Sequence, residues 1–82
     1  YAVLIGANMS GAEMHQAGFS GANLTGADFS RTILEETGFG NANLTNANLR
    51  DADAEEAFFD GTIFNNTIMP DGSISNEAPK YE

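Results

Sequence analysis

Large apolar residues recur at every fifth position of this chain. The centres are Leu4, Met9, Met14, Phe19, Leu24, Phe29, Leu34, Phe39, Leu44, Leu49, Ala54, Phe59, Phe64 and Met69, and all but Ala54 are Leu, Met or Phe. Two places before each centre stands a small residue, Ala throughout except at Thr32, Thr37, Thr62 and Thr67. A helix turns about 500° in five residues, so such a pattern drifts by roughly 140° per repeat and makes no apolar stripe. A long strand alternates with period two and fits no better. Two inward side chains spaced i−2 and i suit a very short extended segment. Gly, Asn, Asp, Ser and Thr fill the intervening places and favour turns. The spacing therefore predicts a chain that turns a corner every five residues in one sense and winds into a coil.

A second period of twenty sets the number of sides. Phe19, Phe39 and Phe59 share that spacing, Asn23-Leu24-Thr25 returns as Asn43-Leu44-Thr45, and Glu35-Glu36 returns as Glu55-Glu56. The threonine pairs Thr32/Thr37 and Thr62/Thr67 do not follow it. Four sides per turn and about three and a half coils result. Neighbouring coils then pair at the ~4.8 Å spacing of adjacent strands. The buried threonines must bond their hydroxyls, with the backbone as the outlet. Asn23/Asn43 and Thr25/Thr45/Asn65 are expected to stack into hydrogen-bond ladders from coil to coil.

The repeats Ala7-Asn8-Met9-Ser10-Gly11, Ala22-Asn23-Leu24-Thr25-Gly26, Ala27-Asp28-Phe29-Ser30-Arg31 and Ala47-Asn48-Leu49-Arg50-Asp51 resemble the A(D/N)LXX unit of the pentapeptide repeat proteins. The resemblance runs from residue 2 to 71. It implies an all-β fold, a right-handed quadrilateral parallel β-helix with the centre and the small residue inside. Val3, Ile33, Phe58, Ile63 and Ile68 depart from the family pattern at the usual Asn/Asp position. Residues 1–69 are assigned to the β-helix. Residues 70–82 are expected to form a cap turn at Pro70-Asp71-Gly72-Ser73 and an irregular tail. The ending Met69-Pro70-Asp71-Gly72-Ser73-Ile74 resembles cyanobacterial members of the family. The first coil carries no cap, so end-to-end self-association through it is expected.

Composition narrows the chemistry. The chain carries 12 Asp/Glu against 3 Lys/Arg, a net charge of −9, which argues against direct nucleic-acid binding. Without cysteine it has no disulfide or thiolate metal site, and one His cannot build a His-rich zinc site. No nucleophile–base pair, phosphate loop or metal cluster is present, so no catalytic, cofactor-binding or metal residues are assigned and an enzyme is not expected. No apolar run approaches the ~20 residues of a membrane span, and no membrane insertion is expected. The compartment stays open, cytoplasm by default with periplasm and thylakoid lumen as alternatives.

Period twenty gathers half of the acids on one side: Glu13, Glu35, Glu36, Asp53, Glu55 and Glu56, beside His15. Like charges ~5 Å apart repel by ~0.8 kcal/mol in water. Such a face either keeps the protein soluble or receives a basic partner, and these six residues are the candidate partner-binding face. Phe58, among glycines, is the other exposed feature, a contact for the tail's Tyr81 or a neighbouring molecule. The resulting expectation is a rigid, rod-like structural or protein-interaction module with an unidentified protein partner. The alternative comes from the resemblance: some pentapeptide repeat proteins mimic duplex DNA and bind DNA gyrase.

Overall fold

The computed structural model describes residues 2–77. The chain winds as a quadrilateral coil in which each side pairs in parallel with the side twenty residues on. Val3, Asn23, Asn43 and Ile63 form the first face; Asn8, Asp28, Asn48 and Ile68 the second; Glu13, Ile33 and Asp53 the third; Gly18, Gly38 and Phe58 the fourth. On each face the centre residue donates its N–H to the next coil, as Leu4 does to Asn23 O at 2.8 Å, and Asn23 donates back to Ala2 O at 2.9 Å. Among the described residues there is no helix, and none long and apolar enough to cross a membrane. The whole measures 30 × 25 × 22 Å. At this length the module is a squat prism rather than a rod.

Most corners are four-residue turns closed from the following repeat, as when Ala7 N–H meets Leu4 O at 3.0 Å. The residue two places after the centre has positive φ, from Gly6 (+70°) through Arg31 (56°) and Glu36 (56°) to Asn66 (52°). Positive φ at that place alone is the mark of a type II turn. Glycine there is free of Cβ strain, and Asn and Asp tolerate it best among the others. Gly61 has a second reason: its φ is +70°, and a Cβ would collide with the Asn41 side chain.

One corner breaks the rule. At Ala54–Ala57 the closing bond survives at 3.1 Å, yet neither Glu55 nor Glu56 has positive φ. The coil above responds. Where Gln16 N–H reaches Glu35 O, nineteen residues on, Glu36 N–H reaches Glu56 O, twenty on, at 3.1 Å. Type I and type II turns differ by a flip of their central peptide, and the flip redirects the carbonyl of Glu55.

The interior is filled by side chains. Leu24, Phe29, Leu34, Phe39, Leu44, Leu49, Ala54, Phe64 and Met69 are buried, with Leu4, Met9, Met14, Phe19 and Phe59 packed against them toward the ends. Phe19, Phe39 and Phe59 stack in one column at 5.4 and 5.3 Å between centroids. Phe29, from the opposite face, meets Phe19 and Phe39 edge-on at 5.5 and 5.6 Å. Each such pair adds about 0.5–1.5 kcal/mol to its burial.

The corner threonines bond as expected. Thr37, Thr62 and Thr67 donate to the carbonyls of Met14, Phe39 and Leu44 in the preceding coil, at 3.0, 2.6 and 2.6 Å. Thr32 donates to Phe29 O within its own turn at 2.6 Å. No buried side-chain polar atom among the described residues lacks a partner.

The expected ladders do not form. Asn23 Oδ1 accepts from the Thr25 N–H at 3.2 Å and the Thr25 hydroxyl at 2.7 Å, and Asn43 does the same with Thr45. Asn8, Asp28 and Asn48 receive the N–H two residues on in the same way, at 2.9–3.0 Å. The side chain is short and its own corner is nearer than the next coil, so each repeat clasps itself.

After the last coil the chain reverses. Strand β1 (Thr67–Ile68) pairs antiparallel with β2 (Ile74–Ser75), Thr67 opposite Ser75 and Ile68 opposite Ile74. The turn between them is held by Met69 N–H to Ser73 O at 2.6 Å and by Asp71 Oδ1, which accepts the Ser73 N–H and hydroxyl at 2.9 and 2.6 Å. Asn76 Oδ1 then takes the Asn66 N–H at 2.8 Å. β2 thus lies along the second face below Ile68 and leaves Ile68 half-buried.

Candidate protein-interaction face

The third face and the corner after it carry the six candidate acids. Glu13 pairs with Ile33 and Ile33 with Asp53, so two carboxylates flank one partly exposed isoleucine, 37% accessible, in a straight column. Glu35, Glu36, Glu55 and Glu56 occupy the corner beside it, one coil above another. All six are exposed.

The top of the corner is held across coils. His15 Nδ1 lies 2.8 Å from Glu35 Oε1, and its Nε2 lies 3.8 Å from Glu13 Oε1. Gln16 Nε2 donates to Glu36 Oε1 at 2.9 Å. Glu35 and Glu36 each gain a partner from the coil above, which offsets part of the repulsion among them. The His15–Glu35 contact is an exposed ion pair when the imidazole is protonated. The hydrogen bond to Glu35 is the main cause that raises the His15 pKa above 6.5. Desolvation opposes it, and the charges of Glu35 and then Glu13 add to it. Gln16 was not among the candidate residues. The signal that finds it is the same period of twenty, which sets Gln16 over Glu36.

The other faces carry little charge. Arg31, Arg50, Asp28 and Asp51 share the second face and its corner. Asp28 titrates below 3.8, chiefly because it accepts from Ser30, with a smaller effect of Arg31. Asp71 titrates low because it accepts from Ser73. The first face has no charged residue, and the fourth has Asp60 alone at its corner. No group of acids or histidine among the described residues is arranged to hold a metal ion. Phe58 stands exposed on the fourth face, and Tyr81, its expected contact, lies outside the described residues.

The chain was compared with known proteins. It is similar in structure to HetL, a pentapeptide repeat protein involved in heterocyst differentiation regulation, from the cyanobacterium Nostoc sp. strain PCC 7120. The identity is 32%, with a TM-score of 0.38, over 92% of this chain and 41% of HetL. It is also similar to AT2G44920, a pentapeptide repeat protein from the thylakoid lumen of Arabidopsis thaliana. There the identity is 34%, with a TM-score of 0.45, over 90% of this chain and 55% of the other. The chain thus spans about half the length or less of these solved structures. No curated protein matches it. A model of pentapeptide repeats, in eight copies, matches residues 1–35 and 34–66. With that match and the four-sided coil together, the chain belongs to the pentapeptide repeat family, whose fold is the right-handed quadrilateral β-helix.

Proposed function

We infer that this pentapeptide repeat chain works as a non-enzymatic protein-interaction module and that its acidic third face receives a basic partner protein. The observation that supports this is the placement of Glu13, Glu35, Glu36, Asp53, Glu55 and Glu56, all exposed on one side of a backbone fixed from coil to coil. Fixed charges need no reordering on binding, and a one-signed field steers an oppositely charged partner. The half-exposed Ile33 among them supplies an apolar contact at the centre. Affinity capture with the chain as bait tests the reading. Reversing Glu35, Glu36, Glu55 and Glu56 to Lys releases the captured basic protein, while Asp60→Lys retains it. Equal capture by both variants contradicts it.

The second reading is mimicry of duplex DNA toward DNA gyrase, and charge density favours it. Six carboxylates over three coils of ~4.8 Å give one charge per roughly 2.4 Å, against ~1.7 Å for the duplex. The acids cover one face, which favours the first reading. Under mimicry the chain inhibits gyrase supercoiling and the four reversals abolish the inhibition. An inactive wild-type chain removes this reading and leaves the first intact.

A further inference from the structure

We draw no further inference here: the strongest candidate, the uncharged first face of the coil with Val3, Ile5 and Ile63 exposed on it and its corner, carries nothing because nothing in the structure shows what covers it.

Discussion

An asparagine one place before the centre turns its side-chain oxygen onto its own corner, and that local bond explains why Ser or Thr so often follows the centre. Asn23 with Thr25 and Asn43 with Thr45 are two such clasps. Replacing either Asn by Ala costs about 0.5–1.5 kcal/mol of stability in urea titration. In double-mutant cycles Asn43→Ala couples with Thr45→Ala inside its own repeat more strongly than with Asn23→Ala on the neighbouring coil; a coil-to-coil ladder would reverse that order. The sequence displayed the residue types but suggested the ladder, since a stack of identical residues is visible at period twenty and a bond two residues along is not. The same scale governs titration. His15 has a raised pKa, so its pair with Glu35 contributes stability that is full below 6.5 and is lost as pH rises through the folded value. By NMR titration the His15 midpoint lies above 6.5, and Glu35→Gln lowers it; a midpoint unmoved by that substitution would show that Glu35 is not the cause. Asp28 works in the opposite sense. Its contribution is present above 3.8 and disappears as pH falls through its lower folded value.

The corner is the element of this fold, and its requirement is one left-handed residue. Glycine at Gly6, Gly11, Gly21 and Gly26 signals that requirement in the sequence, while Gln16, Arg31 and Glu36 meet it under strain. Strain of ~1–2 kcal/mol at a non-glycine residue exceeds the ~0.5–1 kcal/mol entropic cost of glycine. Arg31→Gly therefore raises stability slightly, by up to ~1 kcal/mol, whereas Glu56→Gly lowers it by about 0.5–1 kcal/mol. The contrast in thermal melts checks the flipped corner, since two left-handed corners would respond alike. That flip was not legible: Ala54 announces an undersized centre, but turn type depends on one peptide orientation that Glu55-Glu56 does not encode. The pairing of β1 with β2 was hidden for a similar reason. Two-residue strands show no alternation, and only the turn residues Pro70 to Ser73 carry a recognisable signal.

At the scale of the molecule, repetition replaces a single large core. Each coil buries its centres against the coils above and below, so an 82-residue chain without cysteine builds a continuous interior. An unpaired charge in that interior has no outlet, and Leu24→Asp abolishes the cooperative melt. The acids of the third face stack at coil spacing, where each aligned pair opposes folding by up to ~0.8 kcal/mol in water. Salt screens such pairs, so ~0.5 M NaCl raises the melting temperature, and Glu35→Gln/Glu55→Gln removes part of that rise. The four-sidedness of the coil and the grouping of these acids were legible because one period of twenty encodes both. The outward place of Phe58 in one column with Gly18 and Gly38 was legible for the same reason.

Every face assignment depends on that twenty-residue register. Nuclear Overhauser contacts in the isotopically labelled chain test it directly. The account predicts backbone contacts joining Asn23 with Asn43, Asp28 with Asn48, Ile33 with Asp53 and Gly38 with Phe58. Contacts at a separation of fifteen, joining Asn23 with Gly38 or Ile33 with Asn48, would mean a three-sided coil. They would scatter both the acidic face and the Phe58 column.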